Sequence, residues 1–132
     1  MRIQMIILWC AIFFVSCNEE DQGDGDISVI GKWKLIEVLA DPGDGSGTFK
    51  EVKSNKTIEL KSNGTITTNE SLCSPYSDEI INEGTYSLKD KLIITNCQNS
   101  NIAKIFFEFT DDHLILNFVS NEGYSQKFQK VN

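Results

Sequence analysis

One histidine and four cysteines are the side chains of this sequence best suited to chemistry. His113 follows Asp111 and Asp112, and these residue types can act together as base and orienting group in nucleophilic catalysis. Such groups must converge in space, whereas a turn between two strands spreads consecutive side chains apart. We therefore interpret this segment as a polar turn, and the sequence predicts neither a catalytic set nor an enzyme.

Cys17 stands at the end of an apolar leader. Arg2 precedes an uncharged apolar run over residues 5–15, which is too short to span a bilayer but has the length of a signal-peptide core. The run ends in Phe14-Val15-Ser16-Cys17, which resembles the bacterial lipoprotein signal, in which a small residue precedes the lipid-carrying cysteine. We expect residues 1–16 to be a lipoprotein signal peptide and Cys17 to anchor the protein to a membrane through its lipid. The alternative is an apolar segment that is not cleaved.

Residues 17–28 form an acidic linker that contains glycine. Acidic residues just after Cys17, as in Cys17-Asn18-Glu19-Glu20-Asp21, resemble the surface-export signal of Bacteroidetes lipoproteins. This resemblance implies the cell outer membrane, with exposure at the cell surface. The same charges would also keep a plain solvated tether extended.

Cys73 and Cys97 are the cysteines left for the folded domain, because Cys10 lies in the leader and Cys17 takes the lipid. One pair allows one connectivity, and an oxidising compartment favours a disulfide. Closing a loop of about 25 residues would stabilise the fold by roughly 3 kcal/mol on a chain-entropy account. A redox or metal pair is the disfavoured alternative, since the spacing is not CxxC.

The sequence predicts no cofactor and no metal. Asp41, Asp44 and Ser46 loosely follow a calcium loop, but their spacing fails the EF-hand pattern, so a flexible glycine-rich loop is favoured. Neither a P-loop nor a dinucleotide-binding glycine pattern occurs.

The charge balance excludes nucleic acid as a partner. The whole chain has a net charge of −7, and from Ile27 onward fourteen acidic residues face eleven basic ones. Neutralising phosphates requires clustered Lys and Arg, which the sequence lacks.

Residues 29–132 form the predicted folded domain, an all-β, eight-stranded antiparallel up-and-down β-barrel. Period-two alternation and turn residues place the strands. They cover residues 30–40, 57–60, 65–68, 83–88, 92–95, 104–109, 114–118 and 124–131. An Asn63-Gly64 pair predicts a hairpin turn, and a change of phase near Leu35-Ile36 predicts a bulge. Residues 41–55 and 69–78 are the long loops, and Phe49 and Val52 are expected to fold back as a lid.

The run Gly31-Lys32-Trp33-Lys34-Leu35 resembles the Gly-x-Trp start of lipocalins, in which the tryptophan lies across the closed end of the barrel. The layout over residues 29–131 is similar to that of lipocalin-like lipoproteins of Bacteroidetes. The further matching pieces are residues 41–47, residues 54–58, Asn63-Gly64, Gly84-x-Tyr86 and the cysteine pair. The resemblance implies a lipocalin-like barrel, with Gly31 and Trp33 as its barrel-closing signature.

Aromatic side chains are predicted to face the barrel interior, as plain core or as the lining of a ligand pocket. Besides Trp33 they are Tyr86, Phe107, Phe109, Phe118 and Phe128. In a domain of this size we favour plain core for most of them, with any pocket opposite Trp33 and beneath residues 41–55.

Two functions are consistent with these features. The leading hypothesis is a lipid-anchored cell-envelope lipoprotein that binds a small apolar or amphipathic ligand without catalysis. The alternative is a protein-interaction module, such as an inhibitor or an accessory subunit of a surface complex, with a side-chain-filled barrel. Its acidic surface would suit a basic envelope protein as partner.

Overall fold

A computed structural model describes residues 29–99, 103–110 and 112–131. The elements of this part are β1 (Gly31–Ala40), β2 (Phe49–Glu51), β3 (Thr57–Leu60), β4 (Thr65–Thr68), β5 (Glu83–Ser87), β6 (Leu92–Thr95), β7 (Lys104–Phe109), β8 (His113–Phe118) and β9 (Tyr124–Val131). No helix among these residues is long and apolar enough to cross a bilayer. The predicted signal peptide and linker, with Cys17, lie outside the described residues.

Eight of the nine strands close into a barrel. From β3 to β9 each strand pairs antiparallel with the next, and β1 pairs with both β3 and β9. The predicted eight-stranded antiparallel barrel is therefore confirmed.

The remaining strand, β2, extends the wall. It pairs with the second half of β1, where Leu39 lies opposite Phe49, while β3 pairs with the first half. Phe49 contacts the outward-facing Lys127, whose Nζ lies 4.4 Å from the ring centroid. The expectation that Phe49 folds back as a lid is therefore wrong, because β1 is long enough to hold two partners in succession on one side.

A bulge in β1 redirects its side chains, as the change of phase predicted. Leu35 lies opposite Phe128 and Glu37 opposite Lys127, so Ile36 is the extra residue. In a regular strand Leu35 and Val38 would face opposite sides, but here both pack against the core. The bulge thus lets one long strand line the barrel over its full length.

The core fills the barrel from the end at which β1 begins. Its members are fully or almost fully buried: Val29, Trp33, Leu35, Ile58, Leu60, Ile66, Leu72, Ile93, Ile105, Phe107, Leu114, Leu116, Phe118 and Phe128. The indole Nε1 of Trp33 donates a hydrogen bond to the carbonyl of Val29 at 2.8 Å, and Lys130 Nζ lies 5.4 Å from the Trp33 ring centroid. Gly31 has a φ of 130°, a conformation that favours glycine.

Candidate functional site

A cavity of about 570 Å³ lies at the end of the barrel away from Gly31. This end is marked by Tyr124, which lies opposite Ala40, the last residue of β1. The strands contribute Leu35, Tyr124 and Gln126, and Lys56 stands immediately before β3. Residues 69–82, which we call the roof, supply the rest of the lining.

Three polar side chains are linked in a row along this cavity. Lys56 Nζ donates one hydrogen bond to the Ser71 carbonyl at 2.7 Å and one to Gln126 Oε1 at 3.0 Å. Gln126 Nε2 then donates to the Tyr124 hydroxyl at 3.2 Å. Lys56 and Gln126 are each only 5% exposed, so a lysine and an amide are enclosed where the barrel meets its roof.

Strand alternation explains why these polar side chains point inward. Lys56 continues the inward series of Ile58 and Leu60, both of which are buried. Gln126 likewise precedes the buried Phe128 by two residues on β9. The same alternation that builds the core therefore places Lys56 and Gln126 inside the mouth.

Burial changes the acid–base properties of the row. Desolvation lowers the pKa of Lys56 to about 8, although the negative charge of Glu70 opposes this effect. Burial also raises the pKa of Tyr124, mainly because it disfavours the phenolate. An enclosed lysine that titrates near neutrality is typical of functional sites, but buried structural groups show the same shift.

The roof is held in place by covalent and non-covalent contacts. Cys73 and Cys97 form a disulfide with a Cα–Cα distance of 5.9 Å, which confirms the predicted pairing. Leu72 is fully buried and donates its N–H to the Ile81 carbonyl at 2.7 Å. The Glu79 carboxylate accepts the Gln98 N–H at 3.0 Å, which attaches the roof to the segment after β6.

The same disulfide occupies the two sulfurs that a metal site at the roof would need as thiolates. The two sulfurs and a Glu79 oxygen lie within 4.8 Å of one another. Metal ligation requires thiolates, and the bonded sulfurs of Cys73 and Cys97 are not thiolates.

The aromatic residues predicted to line a ligand pocket lie outside the lining of this cavity. Phe107, Phe118 and Phe128 are buried in the core, and Tyr86 and Phe109 are half-buried against it. None of the five is among the residues that line the cavity beneath the roof. A ligand would have to enter the core to reach Phe107 and Phe128, so the role of the five residues in binding stays a prediction.

Asp41 and His113, two further candidate residues, do not line the cavity beneath the roof. The Asp41 carboxylate accepts the N–H groups of Gly43 at 2.7 Å, Gly45 at 3.0 Å and Gly47 at 2.7 Å. These bonds, with that from Gly47 first, hold the pKa of Asp41 below its usual value. The loop thus uses its carboxylate to order its own backbone. His113 begins β8, and its carbonyl accepts the Thr110 N–H at 2.8 Å, whereas Asp111 lies outside the described residues.

A groove of about 660 Å³ lies beside residues 51–55, near the predicted pocket position. Its walls include Lys34, Glu37 and Gln129 on the strands, and it follows the point where β1 changes partner from β3 to β2. Lys34 and Gln129 lie opposite each other with exposed side chains, so the groove belongs to the outer surface of the barrel. The cavity beneath the roof, which borders the enclosed Lys56 and Gln126, is therefore the better candidate site.

The signal that sequence reasoning missed is the register of Lys56 and Gln126. Both lie two residues before apolar residues of the inner face, but lysine at a strand start is usually solvated. The roof that excludes water from them is distant in sequence.

Comparison with known proteins gives one result. Residues 29–116 match the family model described as a lipocalin-like domain. No curated protein and no solved structure matches the chain.

Proposed function

Because the chain belongs to the family of lipocalin-like domains, we propose that it binds a small apolar or amphipathic molecule at the mouth of its barrel, without covalent chemistry. The observation that carries this proposal is the cavity of about 570 Å³ beneath the roof. Its volume lies within the range of small-molecule sites, which combine apolar walls with a few placed polar groups. Leu35 and Ile80 supply apolar surface, while Lys56 and Tyr124 supply polar groups.

The proposal places this binding domain on a membrane. Residues 1–16 act as a lipoprotein signal peptide, Cys17 carries the lipid, and residues 18–28 form the tether at the outer membrane. The lipoprotein-like run Phe14-Val15-Ser16-Cys17 and the acidic residues after it support this arrangement. Incorporation of labelled fatty acid into the wild type, but not into Cys17→Ala, tests it.

Native mass spectrometry of the protein purified from its own cells tests ligand binding. The expected result is a bound small molecule that is lost from Asn82→Trp, because Asn82 lines the cavity and a bulky ring would fill its opening. The matched control is Ser62→Trp, on the exposed turn between β3 and β4. Equal occupancy in both variants would place the ligand elsewhere, and an empty wild type would contradict the proposal.

Exposed apolar side chains on the roof favour a second candidate, a protein-interaction module. Ile80 is 79% exposed and Tyr76 is 67% exposed, although most of the barrel interior is filled by its own side chains. In the same experiment, a bound protein that is lost from Ile80→Asp but kept by Asn82→Trp would favour this alternative.

A further inference from the structure

We propose that the ligand of this cavity carries an anionic head group, which the Lys56 ammonium and the Tyr124 hydroxyl bind together. This inference rests on the proposed function and adds the chemical class of the ligand. The expected ligand is therefore an acidic amphiphile, with its head at the Lys56–Gln126–Tyr124 row and its tail against the apolar walls.

The first argument is the charge of Lys56. Its side chain is almost fully enclosed, and its two hydrogen-bond partners, the Ser71 carbonyl and the Gln126 amide, are both neutral. Glu70 acts on it through the electrostatic field, but no carboxylate forms an ion pair with Lys56 in the described part of the chain. A buried charge is costly unless it is paired, so the enclosed ammonium favours an anion beside it.

The second argument is the number of donors. An ammonium has three N–H groups, and Lys56 uses two of them within the chain. The Tyr124 hydroxyl accepts a bond from Gln126, which leaves its own hydrogen without an acceptor in the described residues. A spare donor therefore lies on each side of Gln126: the third N–H of Lys56 and the hydroxyl of Tyr124. Both residues line the cavity. Both donors are available to the acceptor oxygens of an anion in the cavity.

The third argument is the apolar part of the same cavity. Leu35, Pro75 and Ile80 line it together with the polar row. A small inorganic anion would leave these walls uncovered, whereas an acyl chain would bury them. The combination therefore favours an amphiphile over a free anion.

The acid–base behaviour of the lysine supplies a test that needs no variant. The pKa of Lys56, lowered by burial to about 8, implies that the ammonium is lost as the pH rises above that value. The charged and titratable groups around it are Glu70 on the roof and Tyr124 on β9, and Tyr124 keeps its proton to higher pH. Affinity for an acidic amphiphile should therefore fall above about pH 8, whereas that for a neutral one should not.

Isothermal titration of the full chain at neutral pH with decanoate, decyl phosphate and 1-decanol tests the proposal. The two acids are expected to bind about tenfold more tightly than the alcohol, since a hydrogen-bonded charge pair in an enclosed site is worth about this much. If only one of the two acids binds more tightly than 1-decanol, the proposal is supported and that acid identifies the head group. Lys56→Met should remove the preference, while the exposed Lys89→Met should keep it.

The outcomes separate the two proposals. If 1-decanol binds the wild type as tightly as the acids, with no pH dependence, the anionic head group is wrong and ligand binding stands. If Lys56→Met weakens all three probes alike or does not fold, the pH dependence of the wild type decides between a structural and a recognition role. If none of the probes binds, the acidic amphiphile is wrong, and the native mass spectrometry described above decides whether ligand binding stands.

Discussion

At the end near Gly31 the barrel is filled by apolar side chains, whereas at the mouth it encloses a lysine and a glutamine. Trp33 buries its whole surface there and needs a single hydrogen bond, to the Val29 carbonyl. Lys56 and Gln126 are enclosed almost as fully, but only because the roof covers them and supplies the Ser71 carbonyl.

The difference between the two ends separates the stability of the fold from the proposed ligand recognition. Apolar packing at the Trp33 end stabilises the fold without burying a charged group. At the mouth, two apolar side chains of similar volume in place of Lys56 and Gln126 would avoid the free-energy cost of desolvating the ammonium. Enclosing Lys56 is therefore a poor way to stabilise the fold. We therefore expect substitutions at the two ends to affect different measurements.

The largest expected effect is at the Trp33 end. Trp33→Ala should lower the free energy of unfolding by about 3–5 kcal/mol, because it removes a fully buried aromatic side chain and leaves a cavity. Urea denaturation followed by circular dichroism measures this. The control is Phe106→Ala on β7, whose side chain is 51% exposed and should change stability by less than about 1 kcal/mol. Similar losses in both variants would mean that Trp33 does not organise the core.

Removing the disulfide should cause the second-largest loss of stability, and this loss should be concentrated at the mouth. The double variant Cys73→Ala/Cys97→Ala opens a loop with a sequence separation of 24 residues. It should lose roughly 3 kcal/mol of unfolding free energy on the chain-entropy account. Hydrogen exchange should accelerate in the roof more than in β1 around Trp33. Uniform acceleration along the whole chain would show that the two ends are not independent.

The sequence predicted the barrel wall because alternation and turn residues are local signals. Asn63-Gly64 marked a hairpin, and the phase change at Leu35-Ile36 marked the bulge, which the register confirms. The strand β2 was missed since its three residues are too few to show alternation after a glycine-rich loop.

The candidate site was less accessible to sequence reasoning. The spacing of two residues between Lys56 and Ile58 indicates that Lys56 faces inward. Its burial, however, depends on contacts with Ser71 and Gln126, which lie 15 and 70 residues away. Only the folded chain brings these groups together. The disulfide was predictable because the other two cysteines had been assigned to the leader and the lipid.

The smallest expected effect on stability is the pH dependence caused by Lys56. Its pKa in the folded protein, about 8, lies below the ordinary value of 10.5, so the unfolded state binds more protons between these values. Stability due to this group therefore rises as the pH increases through that window, by roughly 2 kcal/mol between about pH 7.5 and 9.5. Tyr124 has a raised pKa and acts in the opposite direction, but only above its ordinary value of 10.0. Urea denaturation across this range measures the slope.

Lys56→Met should remove this rise in stability, because no titrating amine remains at the mouth. The matched control is Lys127→Met on β9, next to Gln126 but on the outer face, where Lys127 forms an ion pair with Glu37. That variant should keep the wild-type slope, since it leaves Lys56 and its surroundings unchanged and a partly exposed ion pair contributes little to stability. If Lys127→Met removes the slope instead, the pH dependence belongs to the outer wall, and the contrast between the two ends of the barrel would have to be redrawn.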